Sequence, residues 1–222
     1  MIEEFLGITT EKLVKAGWET LYMVGFSLLL GAFLGAIIAI ILWLTRKDGL
    51  QENRLIYTVV NAVINIIRST PFIILLVCVM PFTKFIVGTR IGTKAAIVPL
   101  VIYIAPYLAR LIENSLLDVG PGIVEAAKSM GADTFQIIVY FVLPEAFASI
   151  ILALTTGTIG LIGATAMAGY IGGGGVGNLA LTYGYQTFNY NLMFFTVAIL
   201  IAFVWLIQSI GNRLSRKRRI HE

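Results

Sequence analysis

Residue types that usually carry chemistry are scarce in this chain, and they do not form a catalytic set. Cys78 is its single cysteine and His221 its single histidine. A cysteine nucleophile needs a base beside the thiol, and a metal site needs several ligands close together, which these two residues do not supply. We interpret Cys78 as a small filler of the core and His221 as a solvated tail residue. The sequence therefore predicts no catalytic residue, no metal site and no enzyme.

A glycine-rich segment offers a second candidate chemistry, the binding of a nucleotide. Gly172, Gly174 and Gly177 satisfy the pattern G-x-G-x-x-G. A dinucleotide site also requires a preceding strand, a following helix and an acidic residue about twenty positions further on. Here an apolar segment precedes the glycines, no acidic residue follows before Glu222, and the chain has no G-x-x-x-x-G-K-[ST] phosphate loop. We expect the glycines to break a helix and to allow close backbone approach.

Arg68 is the one charge well inside a long apolar run, and Ser69, Thr70 and Pro71 follow it. An ionisable residue at such a place is a functional candidate by default. The alternative is that the segment before Arg68 lies at a membrane interface, where its side chain snorkels or pairs with a loop carboxylate. In that arrangement Ser69 and Thr70 lie where a helix enters the bilayer, near a candidate transport pathway.

The apolar content indicates which elements must position these residues. Of 222 residues, 58% are hydrophobic and 13% are charged, whereas a soluble domain would carry about twice that charged fraction. The composition predicts an all-α integral membrane protein with one transmembrane domain over residues 1–222. Five apolar stretches, each a predicted span, cover residues 21–44, 55–82, 91–112, 146–171 and 192–210. The pattern Gly31-x-x-x-Gly35 in the first span predicts close helix packing within the chain.

The distribution of basic residues predicts the orientation of these five spans. Lys and Arg concentrate in the connections 45–54 and 109–146 and in the C-terminal tail, which alternate spans place on one side of the membrane. The positive-inside rule therefore predicts an N-terminus outside and a C-terminus in the cytoplasm, and it puts the glycines at the outer mouth. The net charge of +4 is then a property of cytoplasmic segments rather than a sign of nucleic-acid binding.

The longest connection, between the third and fourth spans, carries its own helical pattern. Pro121 suits the first turn of a helix, and Gly131 is placed to end that helix in the left-handed conformation. Asp133 and Gln136 form an Asp-x-x-Gln variant of the capping box and start a second helix, which extends up to Pro144. Such a pair of helices either docks a cytosolic partner or rests on the membrane surface as an ordinary amphipathic element.

Six residues of this connection resemble the EAA loop of the permeases of importer-type ABC transporters. They are Glu125, Ala126, Ala127, Gly131, Leu143 and Pro144. Their spacing matches the family's E-A-A, G and I-x-L-P elements, and Phe141 alone departs, since it stands where the family has isoleucine. The resemblance implies a type I ABC importer permease fold whose loop, residues 113–145, contains a coupling helix beginning at Pro121. In that family the coupling helix sits in a cleft of a cytosolic ATPase and transmits its opening and closing.

Nearly the whole chain is similar to permeases of methionine uptake. The segments that carry this similarity are residues 68–76, 95–100, 172–177 and 183–185. It implies transport of D- and L-methionine across the bacterial cytoplasmic (inner) membrane by a homodimer of this chain. It also implies two cytosolic ATPase subunits, which hold the ATP and magnesium, and an extracytoplasmic substrate-binding lipoprotein. This chain is expected to bind no cofactor, and its partners are proteins and membrane lipid rather than nucleic acid.

An apolar path suits a cargo that must pass without being held tightly. Met167, among small residues of the fourth span, is predicted to line a gate, the alternative being a lipid-facing or core position. Two other functions stay open, namely import of another amino acid or small organic solute, and secondary transport driven by an ion gradient. Ion-coupled carriers place Asp, Glu or His within their spans. Residues 21–44 and 146–210 contain none, which disfavours the ion-coupled alternative.

Overall fold

The computed structural model describes residues 5–219, and His221 lies outside them. Over these residues the secondary structure is helical, with no strand, as the sequence predicts. Among residues 5–219, four helices are long and apolar enough to cross a bilayer, and a bent pair raises the number of spans to as many as five. In chain order the helices are α1 (Thr10–Thr45), α2 (Arg54–Ser69), α3 (Phe72–Val87), α4 (Thr93–Leu117), α5 (Pro121–Ser129), α6 (Thr134–Ile171), α7 (176–185) and α8 (Tyr190–Arg219).

The centre of the bundle is α4, because one of its faces is almost wholly buried. Leu100, Ile104, Leu108, Ile112 and Leu116 recur every four residues and are each at most 3% exposed. That spacing puts them on one side of a helix, where α1 and α6 pack against them. Many large apolar side chains on the outside of the bundle stay exposed, which is the pattern of helices that face lipid or another subunit. Cys78 is exposed with them, so the prediction that it fills the core is wrong.

Two glycines of α1 allow it to lie directly against α4. A Cβ atom at Gly31 would collide with the side chain of Ile104, and one at Gly35 would lie 2.9 Å from the carbonyl oxygen of Ala105. The close helix packing predicted from the Gly-x-x-x-Gly pattern is confirmed, and its partner is a helix of the same chain.

The predicted span over residues 55–82 consists of two helices, since the chain turns by 113° between α2 and α3. Pro71 has no N–H with which to continue α2, and it disfavours helical backbone at the residue before it. Thr70 is accordingly extended, with φ −85° and ψ 123°. α2 therefore ends at Ser69, and α3 starts in a new direction at Phe72.

The second helix of the long connection is longer than predicted. It starts at the Asp133 capping box and continues past Pro144 to Ile171, so it is continuous with the fourth predicted span. A proline inside a helix removes one backbone hydrogen bond and crowds the preceding turn. The residues before this proline, Ile137–Val142, form a π-helical turn, whose wider backbone loop accommodates the ring without ending the helix.

The connections collect at two opposite ends of the bundle. At one end, which we call the α5 end, the Ser215 hydroxyl of α8 donates to the Ala148 carbonyl of α6 at 3.0 Å, and the α1–α2 connection adjoins α5. At the other, which we call the glycine end, the Gly92 N–H donates to the Ile171 carbonyl at 2.9 Å. The basic connections 45–54 and 109–146 and the C-terminal segment thus lie together at the α5 end, as the alternation of spans predicts.

Candidate functional site

Local sequence signals fix both ends of α5. Pro121 stands in its first turn. At the other end Gly131 is left-handed, with φ +77°. Its N–H donates to the Lys128 carbonyl at 2.9 Å, and the Ala132 N–H donates to the Ala127 carbonyl at 3.1 Å. This pair of hydrogen bonds is a Schellman motif, which satisfies carbonyls at the end of a helix, so the predicted helix and its glycine stop are confirmed.

The three residues of the EAA element do not face the same way. Ala127 is completely buried and belongs to the main apolar core, whereas Glu125 and Ala126 are exposed. After Ala127, Lys128, Ser129 and Met130 are exposed as well. α5 is therefore anchored to its own chain through Ala127, while the Glu125–Ala126 edge is a shallow surface available to another protein.

The downstream residues of the motif support α5 rather than extend its outer surface. The side chain of Asp133 accepts from the Gln136 N–H at 2.8 Å, and the Gln136 side chain accepts from the Asp133 N–H at 3.0 Å. The predicted capping box is thus confirmed. Leu143 and Phe141 pack against the main core, so Phe141 fills an apolar position as an isoleucine would. Pro144 is exposed and follows the π-helical turn.

A polar cavity of about 360 Å³ lies between α5 and the α1–α2 connection. Glu125 and Lys128 line it from α5, and Trp43 and Arg46 line it from the end of α1. The Arg46 guanidinium lies over the Trp43 ring, 5.9 Å from its centroid. Because the cavity carries charges of both signs and directly adjoins the Glu125–Ala126 edge, we treat it as part of the same surface.

The candidate pathway residues fall at two separate places. Ser69 and Thr70 lie at the bend between α2 and α3, beside the middle of α4, where the Arg68 guanidinium lies 6.0 Å from the centroid of the Tyr107 ring. Met167 lies near the last turn of α6, at the glycine end, and is 42% exposed. The predicted roles of Ser69, Thr70 and Met167 in a pathway stay predictions.

The glycine-rich segment forms the predicted break after α6. Gly172, Gly174 and Gly175 have positive φ values of 70°, 74° and 89°, a conformation that glycine adopts without strain. A Cβ atom at Gly177 would collide with Ala166, so the backbone approach here is close. Both expectations for this segment, a helix break and close packing of the backbone, are confirmed.

Two residues of α1 that the sequence did not single out hold this break in place. The Gly175 N–H donates to a carboxylate oxygen of Glu19 at 2.9 Å, and the Val176 N–H donates to the Thr20 hydroxyl at 2.9 Å. They are 156 positions away in the chain from their partners. The available signal was weak, namely an acidic and a hydroxyl residue at the edge of the first apolar stretch.

We expect Gly174→Ala to destabilise the protein. Its φ of +74° strains any residue with a side chain, and a Cβ atom there would collide with the Glu19 carboxylate. The midpoint of thermal unfolding in detergent should fall by about 5 °C, as for backbone strain of about 1–3 kcal/mol. Gly25→Ala is the matched control, because Gly25 has open space around its Cβ position and no positive φ. An unchanged midpoint for Gly174→Ala would contradict this packing.

The chain matches a known family model over most of its length. Residues 31–220 match the model described as the binding-protein-dependent transport system inner membrane component. A probable D-methionine transport system permease protein, MetI, of Vibrio cholerae is 46% identical over 97% of this chain and 96% of its own length. The methionine import system permease protein MetP of Bacillus subtilis is 44% identical over 95% of each chain.

Solved structures show the same architecture. A chain of the MetNI methionine ABC transporter in an inward-facing conformation superposes with a TM-score of 0.91 at 42% identity, covering 94% of this chain and 97% of that one. A chain of an amino acid ABC transporter superposes with a TM-score of 0.77 at 22% identity, covering 94% of each chain. The latter likeness is one of fold alone, and the fold is that of type I importer permeases.

Proposed function

Since the chain belongs to the binding-protein-dependent transport system inner membrane components, we propose that it forms the translocation pathway of an ABC importer for methionine. The observation that carries this proposal is the Glu125–Ala126 edge of α5, a shallow exposed surface on a helix that Ala127 anchors to the core. The names of the relatives that are 44–46% identical over nearly their full length support the cargo. D- and L-methionine are both within the proposal.

The proposed assembly contains two copies of this chain and two cytosolic ATPase subunits. The chain has no phosphate loop of its own, so the ATP and magnesium belong to the ATPase subunits, as in ABC transporters generally. Each ATPase subunit binds one α5 through the Glu125–Ala126 edge. A substrate-binding lipoprotein delivers the amino acid at the glycine end, which faces the outside of the cytoplasmic membrane. The basic α5 end then faces the cytoplasm, as the positive-inside rule requires.

The attachment of α5 gives the proposal its mechanism. Residues 118–120 join α5 to α4, and residues 130–133 join it to α6. Both connections are short, and the Schellman motif and the capping box stiffen the second of them. A displacement of α5 by closure of the ATPases on ATP therefore moves α4 and α6, and the path between two copies turns from one side of the membrane to the other.

Uptake in proteoliposomes tests this function. The chain is reconstituted with the ATPase and binding protein of its own organism, and isotope-labelled methionine is supplied outside. We expect uptake that requires ATP inside, survives collapse of the proton gradient, and is inhibited by unlabelled methionine more than by other amino acids. Uptake without ATP but with a proton gradient would instead indicate a secondary transporter. Preferential inhibition by a different solute would replace the cargo while keeping the class.

A further inference from the structure

A polar network that is buried at Glu113 and partly exposed at Arg110 and Asn61 joins α2 to α4, in the half of α4 nearer to α5. The Arg110 guanidinium donates to the Glu113 carboxylate at 2.6 Å, and its other terminal nitrogen donates to the side-chain oxygen of Asn61. The side chain of Glu113 is 2% exposed and that of Arg110 is 21% exposed. Arg110 is the central member, because its planar guanidinium serves one partner on its own helix and one on α2.

Packing alone does not require these polar groups. Around the network, Leu42, Ile64 and Ala109 form a buried apolar cluster that already holds α1, α2 and α4 together. Charged groups inside a membrane helix bundle are costly and commonly functional. A buried ion pair is also weak support for stability compared with apolar residues of similar volume. The network is therefore a candidate for a functional role in transport rather than a purely structural one.

Three contacts hold the bent pair α2–α3 against α4, and the hydrogen bond of this network to α2 is the first of them. After the Asn61–Arg110 hydrogen bond, the Arg68 guanidinium lies 6.0 Å from the Tyr107 ring centroid. Beyond the bend, the rings of Phe72 and Tyr103 lie 5.2 Å apart in an edge-on arrangement. The partners run in opposite sequence directions, so α2 and the start of α3 follow the middle part of α4.

We propose that Arg110 and Asn61 are positioning residues that carry the displacement of α5 to the bent pair α2–α3. α4 leads directly into α5 through residues 118–120, so a movement of α5 is a movement of the Arg110 segment. The hydrogen bond passes that movement to α2, and the 113° bend redirects it into α3. This inference rests on the proposed function, because it assumes that α5 is displaced by an ATPase.

A merely structural role makes a different prediction. If the network only neutralises the buried Glu113 carboxylate, its loss lowers the amount of folded protein, and transport and ATP hydrolysis fall together. If it transmits movement, the folded complex continues to hydrolyse ATP while less substrate moves per ATP. The ratio of methionine transported to ATP hydrolysed therefore separates the two roles.

The test uses the complete reconstituted complex and substitutions of Asn61. Asn61→Ala leaves the Arg110–Glu113 pair intact and should lower the transport-to-hydrolysis ratio about tenfold, as expected for loss of one hydrogen bond to a charged group. Asn61→Asp should restore the ratio, because a carboxylate accepts from Arg110. Asn65→Ala is the matched control, since Asn65 is exposed one turn further along α2, and it should keep the ratio of the unaltered protein.

Arg110→Lys provides a second variant if Asn61→Ala does not fold. An ammonium still neutralises Glu113, but it lacks the fork that reaches both partners, so the ratio should fall as it does for Asn61→Ala. The inference is overturned if the folded variants keep the ratio of the unaltered protein, or if Asn61→Asp fails to restore it. Failure of the unaltered complex to take up methionine with ATP would instead refute the proposed function.

Discussion

Replacing Ala126 with leucine should abolish ATP-driven uptake while the chain stays folded and inserted in the membrane. Ala126 is exposed on the outer side of α5, so the larger side chain meets nothing within its own subunit. It does enlarge a surface that must fit a cleft, and overpacking a fitted contact costs about 1–3 kcal/mol, or up to about a 100-fold loss of binding. Co-purification of the ATPase and uptake in proteoliposomes measure the effect.

The neighbouring position supplies the control for this prediction. Ala127 is completely buried, so Ala127→Leu has no room in the core and should reduce the amount of folded protein instead. Ala126→Ser, which hardly changes the size of the side chain, should retain uptake. If Ala126→Leu binds the ATPase and transports as the unaltered protein does, the outer edge of α5 is not the docking surface.

Replacing Gly131 with proline should eliminate coupled transport. Proline fixes φ near −65° and has no N–H, whereas Gly131 has φ +77° and donates to the Lys128 carbonyl. The substitution therefore removes the turn that orients α5 relative to α6. We expect uptake to fall to background, with the loss greater than for any substitution that only trims a side chain of α5.

A graded series at the same position tests the physical cause. Asparagine tolerates the left-handed conformation, alanine pays about 1–2 kcal/mol for it, and proline cannot adopt it. Uptake should therefore decrease in the order Gly131→Asn, Gly131→Ala, Gly131→Pro, with membrane insertion measured for each. There is open space around the Cβ position, so steric collision does not contribute to the differences in uptake between these variants. Equal uptake by the asparagine and proline variants would show that the turn does not matter.

The sequence predicts the α5 region well because the signals there are local. Pro121, Gly131 and the Asp133 capping box each act within one turn of the residue concerned, and the structure contains all three features. The family resemblance rests on the same residues. Their exposure, by contrast, depends on the rest of the bundle, and the opposite orientations of Ala126 and Ala127 emerge only from the structure.

The effect of the prolines on helix direction is not predictable from hydropathy, because a hydropathy value carries no information on backbone direction. Residues 55–82 are apolar throughout most of their length, yet Pro71 divides them into two helices at 113°. Pro144 has the opposite outcome, because a π-helical turn lets α6 continue through it. Whether a proline ends, bends or merely loosens a helix depends on tertiary contacts that no local pattern records.

Contacts between distant segments could not be predicted from one sequence. Glu19 meets Gly175, and Asn61 meets Arg110, across separations of 156 and 49 positions. Considered alone, Glu19, Asn61 and Arg110 each have an ordinary interpretation as residues at the edge or the interface of a membrane helix. Their pairing follows from the packing of α1 and α2 on the rest of the bundle, which the side-chain periodicity of a single helix does not specify.

Thiol labelling at Ala126 is the most direct test of the central claim, that the outer edge of α5 docks an ATPase. In a Cys78→Ala background, Ala126→Cys and the control Asn212→Cys on α8, both at exposed positions of the α5 end, are labelled with a maleimide with and without the ATPase. We predict that the ATPase protects residue 126 and leaves residue 212 reactive. If residue 126 is labelled equally in the presence and absence of bound ATPase, the outer edge of α5 is not the docking surface.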